Sequence, residues 1–216
     1  MTTWRILDLE TAAHPDATQW VDPVKADSRL VDPAKIEKSI QDKTEQQKNE
    51  FGLDPDCCRL VALGYFDIGT TEPTVYLMRN EFEEREQLKL FWSSYRHDTR
   101  LVTFNGIRFD LPVLIMRSLY LQVEHPPLVI APAWKTPHVD LWSALSLDGA
   151  RRDVHSLAFY ARRFGFGTLD KVHGSQMQQL VNEERWNEIH DHCLSDIGLT
   201  HALANRLGIL KVGVAA

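Results

Sequence analysis

The stretch ILDLET, residues 6–11, sets two carboxylates two positions apart in an apolar, β-prone run that begins at Trp4. Its alternation predicts a short strand over Trp4–Leu9, and a period of two points Asp8 and Glu10 to one face near the strand's end. Two acids facing one way repel, so a cation should sit between them, and hard divalent ions such as Mg²⁺ are held by carboxylate oxygens in this manner. A strand end that merely reaches solvent would tolerate the same two residues.

Working outward, Arg59–Phe66 and Thr74–Met78 read as two more strands and Leu101–Phe104 as a fourth. Helical periodicity appears at Glu81–Ser93, which carries Phe82, Leu88 and Phe91 in a charged stretch. It returns at Leu111–Leu121, with Pro112 in the first turn, where a missing N–H costs little. Val154–Phe164 sets Leu157, Tyr160, Ala161 and Phe164 on one face before Gly165 as a stop, and Ser175 with Gln178 fits a capping box opening the next helix. A last long helix is expected over about Glu183 to Leu207. The roughly fifty residues between the first two strands exceed an ordinary loop, since loops beyond about 12 to 15 residues are uncommon. They read as an insertion, about 13–58, in which Asp32–Asp56 holds four Lys and seven acids with hardly any apolar spacing, as a solvated helix or flap would. The Pro-rich run His125–Pro137 reads as an extended loop.

The 216 residues predict one domain, 1–216, with an elaboration. Hydrophobic residues at 44% and charged residues at 25% argue for a folded chain, and a net charge of −6 leaves no basic tail to grip nucleic acid nonspecifically. A phosphate-rich substrate must then be met locally or through metal ions. The first residues, MTTWRILDLE, lack the apolar core of a secretory signal, and no apolar run approaches membrane-spanning length, so a cytoplasmic protein without membrane attachment is expected. Three cysteines, Cys57, Cys58 and Cys193, give neither a C-x-x-C spacing nor a disulfide scaffold.

Two further acids stand out. Asp110 follows the turn Asn105-Gly106 just before the helix at Leu111, where Asp is also an ordinary N-cap. Asp196 lies inside the last helix, on a stripe with Ile189, His192 and Leu203 flanked by Trp186, Cys193 and Ile197. A carboxylate on a buried stripe needs a partner or a metal, which leaves an Asp–His hydrogen bond that pins the helix as the plain alternative. Four acids from three segments could converge on a two-metal site for phosphoryl transfer, with ions about 3.5 to 4 Å apart. A basic strip lies at Arg151, Arg152, Arg162, Arg163 and Lys171, opposed by Asp153 and Asp170; on an isolated helix it would be a solvated face.

Taken in order, ILDLET, TFNGIRFDLPVL with Asp110, and HCLSDIGLT with Asp196 resemble the DEDD superfamily of 3′-5′ exonucleases. The likeness is greatest to stand-alone proteins related to the exonuclease domain of family B DNA polymerases. It extends to VDLWSAL around Asp140, to VHSLAFYARRFGF and to Gly174-Ser175. The resemblance implies an α/β, ribonuclease H-like fold, a mixed twisted sheet flanked by helices, here with the insertion after the first strand; at 216 residues no attached polymerase domain is expected. It implies two Mg²⁺ (or Mn²⁺) ions at Asp8, Glu10, Asp110 and Asp196, with Asp8 touching both and Asp110 acting mainly through water. A water activated there would attack the terminal phosphodiester of a single strand with a free 3′ end, DNA favoured over RNA, with Asn105 and Phe109 on the substrate side. The departure is at the general base. One subclass has Tyr four residues before the last Asp and the other His five before, whereas His192 stands four before and Asp191 five before. His suits a base near neutral pH, with an ordinary pKa of about 6.5 against about 10 for Tyr. His190, His192 and Cys193 could instead suggest zinc, at an unusual spacing and with no fourth ligand nearby. A ribonuclease trimming short RNA, and a silent nucleic-acid-binding subunit, are the rival functions; protein partners are not legible.

Overall fold

A computed structural model describes residues 3–128, 135–147, 149–167 and 171–210. Strand β1 (Thr3–Ala13) pairs antiparallel with β2 (Cys58–Asp67), which pairs antiparallel with β3 (Thr74–Leu77). On its other edge β1 runs parallel to β4 (Thr99–Thr103), and β4 parallel to the two-residue β5 (Val139–Asp140), giving the order β3-β2-β1-β4-β5. The sheet is therefore mixed, and the strand bearing Asp8 and Glu10 is central. It runs four residues beyond the expected end because Thr11–Ala13 go on pairing with Leu60–Cys58, so both acids lie within the strand rather than at its tip.

Alternation along β1 divides the core in two. Ile6 and Ala12 face one way, toward α5 (Leu157–Phe164), α6 (Met177–Asn182) and α7 (Trp186–Arg206). Leu7 and Leu9 face the other way, toward α2 (Glu81–Ser94) and α3 (Asp110–Tyr120). By the same period Asp8 and Glu10 share the α7 side with Ile6 and Ala12. On the opposite layer, Arg117 of α3 makes two bonds to Glu84 of α2, at 2.7 and 3.0 Å, with both side chains buried. Glu84 also accepts the Leu60 N–H, so one carboxylate fastens two helices to β2.

The insertion folds as the solvated helix its composition suggests. Helix α1 (Pro33–Glu50) starts with Pro33 in its first turn and with the Asp32 side chain accepting the Ala34 N–H, and it buries no side chain. It is attached at its far end, where Phe51 packs with Ala17 and Cys57.

Several boundaries differ from expectation. Helix α5 begins at Leu157, because the Ser156 side chain caps it through the Phe159 N–H. The capping box is formed by His173 and Gln176, two residues early, since a 3-10 turn (Gly174–Gln176) precedes α6; Gln178 instead accepts the Ala13 N–H. Helix α7 starts at Trp186, after Glu184 turns left-handed at φ 55. Phe82 is 75% exposed rather than part of the core. Neither β5 nor the five-residue helix α4 (Leu141–Leu145) is long enough to show a period. Of His125–Pro137, residues 129–134 lie outside the described residues, as do Asp148 and Asp170.

Candidate active site

The acids meet where α7 crosses the middle of the sheet. Gly64 stands opposite Asp8 in the β1–β2 ladder, and a Cβ there would lie 2.4 Å from Ile197 Cδ1 and 2.6 Å from Cys193 Sγ. Only glycine lets α7 approach this closely, and the approach carries Asp196 and His192 to the carboxylate strand. A one-residue bulge helps, since Glu10 pairs with Ala62 but Thr11 with Leu60, leaving Val61 extra just as the strand passes the site.

Asp110 is delivered by the turn after β4. Asn105 adopts φ 66, in the left-handed region that Asn tolerates, and a Cβ on Gly106 would fall 2.4 Å from Thr103. The Gly106 carbonyl accepts the N–H groups of Phe109 and Leu111, closing the turn into α3. Asp110 is the first helical residue and Phe109 holds the capping position, so the N-cap reading of Asp110 fails. Its carboxyl faces the other acids.

Electrostatics record the convergence. Burial raises the Asp8 carboxyl well above the usual carboxylate range, and Glu10, Asp196 and Asp110 push it further. Burial raises Asp110 to about 7, with Asp140 and Asp196 adding to it and the backbone N–H groups of Asp110 and Leu9 opposing it. One oxygen of Asp8, Oδ2, is buried and accepts no hydrogen bond. His192 Nε2 is 3.6 Å from Glu10 Oε1, both side chains being buried. His190 turns outward to Asp191, at 3.0 Å. The thiol of Cys193 is buried 3.9 Å from the Asp8 carbonyl oxygen and is held neutral by burial and by the nearby acids. His190, His192 and Cys193 therefore do not form a zinc site: one ligand points away and another keeps its proton.

A cleft of about 720 Å³ opens over these groups. Asp8, Glu10, Asp196, His192 and Phe109 line it; Asp110 does not border it. Of the basic strip only Arg162 reaches the cleft. Arg151 is spent on the carbonyls of Leu145 and Asp153, and Arg152 and Arg163 are exposed elsewhere. Asn105 is half-buried outside the cleft, its N–H donated to Asp140 Oδ1 at 2.8 Å.

Asp140 enters the sequence reading only within the resemblance, with no place in the site assigned to it. Its Oδ1 also accepts the Trp142 N–H, so the residue ends β5, caps α4 and holds the turn that presents Asp110, while its Oδ2 is buried without a partner. The available signal was an Asp directly before an apolar helix. For Gly64 it was a lone glycine in a strand pattern.

The donor set fits hard divalent cations in type: all oxygen, mutually repelling, with one buried oxygen unsatisfied. Among the described residues no three ligands are gathered tightly enough to chelate an ion as they stand, so closing around one takes side-chain rotation.

A mixed five-strand sheet flanked by helices, ordered β3-β2-β1-β4-β5, is the ribonuclease H-like α/β fold. A family B DNA polymerase from the hyperthermophilic archaeon Pyrobaculum calidifontis superposes with a TM-score of 0.57 at 16% identity, over 96% of this chain and 24% of that one. An exonuclease I superposes with a TM-score of 0.51 at 13% identity, over 97% of this chain and 41% of that one. The chain thus spans about a quarter and about two fifths of those proteins. Among curated proteins none matches the sequence. The chain belongs to the family described as predicted 3′-5′ exonucleases related to the exonuclease domain of PolB, whose model matches residues 55–214. That match takes in Asp110, His192 and Asp196 but begins after β1 and within the last residues of the insertion. No helix among the described residues is long and apolar enough to cross a membrane.

Proposed function

We propose that residues 1–216 form one 3′-5′ exonuclease unit that shortens single-stranded nucleic acid, DNA before RNA, from a free 3′ end and releases 5′-mononucleotides. The observation that carries the reading is Asp8: a carboxyl beside three other acids, with one buried oxygen left unpartnered, in a cleft open to solvent. Asp8, Glu10, Asp110 and Asp196 would hold two Mg²⁺ or Mn²⁺ ions. Ions bound there would polarise the scissile phosphate and lower the pKa of a coordinated water.

The protein's own groups do the rest. His192 Nε2, 3.6 Å from Glu10 Oε1, takes the proton from the attacking water. Phe109 offers an apolar surface for the terminal base and Arg162 a cation for the backbone, while Arg151, Arg152 and Arg163 add charge from outside the cleft. Asn105 acts through the turn it forms.

The test is incubation of 5′-labelled DNA and RNA of one sequence with Mg²⁺ or Mn²⁺. A ladder descending from the 3′ end, stalled by a 3′-phosphate and indifferent to a blocked 5′ end, is expected. Asp8→Ala should abolish it with unchanged circular dichroism. Cleavage of a circular strand would refute the reading, and faster loss of RNA would move the assignment to a ribonuclease. Binding without cleavage would mark a silent subunit.

A further inference from the structure

Helix α1 presents a puzzle. Eighteen residues long and without one buried side chain, it gains almost nothing from core packing, and isolated helices of that length are marginal in water. The chain nevertheless places its end beside the catalytic strand. Phe51 is buried, a Cβ on Gly52 would lie 3.6 Å from the Ala13 nitrogen, and the Thr11 hydroxyl donates to the Gly52 carbonyl. Thr11 directly follows Glu10. The last turn of α1 and the residues after it thereby become part of the cleft, through Lys48, Asn49, Gly52 and Leu53.

Two features of this border stand unpartnered among the described residues. Among the described residues Lys48 makes no ion pair, although other charged side chains of the chain, such as Lys89 and Arg185, pair with nearby acids. Leu53 is 69% exposed at the edge of a cleft whose acids favour polar surroundings. A cation beside an apolar side chain is the pairing that meets a nucleic-acid strand, one toward phosphate and the other toward an unstacked base. The cleft's other full cation, Arg162, comes from α5, a separate part of the chain.

We infer that the insertion is a substrate-gripping border, in which Lys48 contacts a phosphate beyond the scissile one and Leu53 packs against a base, so that the cleft accepts a single strand. This deepens the proposed exonuclease reading and rests on it. A loose flap would have left the cleft bordered by β1, the segment that carries Phe104 and Phe109, α5, α6 with the turn before it, and α7.

The test compares Lys48→Glu, Leu53→Ser and a control, Lys38→Glu, on the same exposed helix but away from the cleft. Binding of a fluorescent 12-nucleotide single strand is measured in chelator, apart from turnover, across a salt series. Lys48→Glu should weaken binding several-fold and lower the slope of log Kd against log salt by about 0.7, the value for one lost single-strand phosphate contact. It should raise KM on the 12-mer while leaving kcat, and KM on a dinucleotide, unchanged. Leu53→Ser should weaken binding with no change of slope, and Lys38→Glu should match the wild type. Equal losses from Lys48→Glu and Lys38→Glu would reduce the effect to net charge and overturn the inference, as would an unchanged salt slope in Lys48→Glu. A wild type that binds the strand but does not cut it would sink the nuclease reading and leave the gripping border standing. A wild type that does neither would sink both.

Discussion

Removing the Asp110 charge should stabilise the metal-free protein, and only above a certain pH. Burial and the charges of Asp140 and Asp196 raise this carboxyl from 3.8 to about 7. A folded-state pKa above the unfolded one means the carboxyl's contribution is fully present below about pH 4 and is lost as pH rises through 7. At about 1.4 kcal/mol per pH unit the full penalty at pH 8 is roughly 4 kcal/mol. Part of it is shared with the neighbouring acids, so Asp110→Asn, which keeps the shape and an accepting oxygen, should gain about 2–4 kcal/mol at pH 8. For a chain of this length that corresponds to a rise in Tm of about 5–15 °C. Thermal unfolding followed by circular dichroism in chelator should show this gain at pH 8 and almost none at pH 4. Added Mg²⁺ should then reverse the order at pH 8, because a ligand binding only the folded wild type stabilises it by mass action. A variant that melts with the wild type at pH 8, or gains equally at both pH values, would refute the account of mutually repelling acids around a buried Asp110.

Three other outcomes are expected. His192→Ala should lose about 10²- to 10⁴-fold in turnover with little change in metal affinity, while His190→Ala, whose ring pairs with Asp191 away from the cleft, stays near wild type in the same ladder assay. Gly64→Ala places a Cβ against Ile197 and Cys193; calorimetry should find about 1–3 kcal/mol of destabilisation and kinetics a lower kcat, as α7 is pushed off Asp8. Arg117→Ala leaves Glu84 charged and buried, so denaturant unfolding should show a loss of about 3–5 kcal/mol.

Much of the fold was legible because the hydrophobic period is a local property. Strand β1, strand β4 and helix α3 could be read from consecutive residues, as could the placement of Asp8 and Glu10 on one face. The polar composition of Asp32–Asp56 likewise sufficed to read α1 as solvated, since a segment with no apolar face cannot enter a core. The helical period also separated His192 from His190, because residues four apart lie about 40° from one another on a helix and residues six apart about 120°.

What stayed hidden depends on contacts between distant segments. That β1 is the central strand, with its acids beneath α7 rather than at a solvent edge, follows from a parallel pairing with β4 some ninety residues away. Asp140 serves the turn at Asn105, and Lys48 shares a cleft with the acids of β1, only after separate stretches of chain have been brought together. The basic strip shows the converse: Arg151 to Lys171 is contiguous in sequence, yet only Arg162 borders the cleft, because α5 turns one face to the core and the cleft admits a single arginine. Sequence by itself determined which residues could form each element and which acids were candidates for chemistry. The tertiary structure decided which of them meet, because burial, charge repulsion and the close approach permitted at Gly64 act between residues that no local period connects.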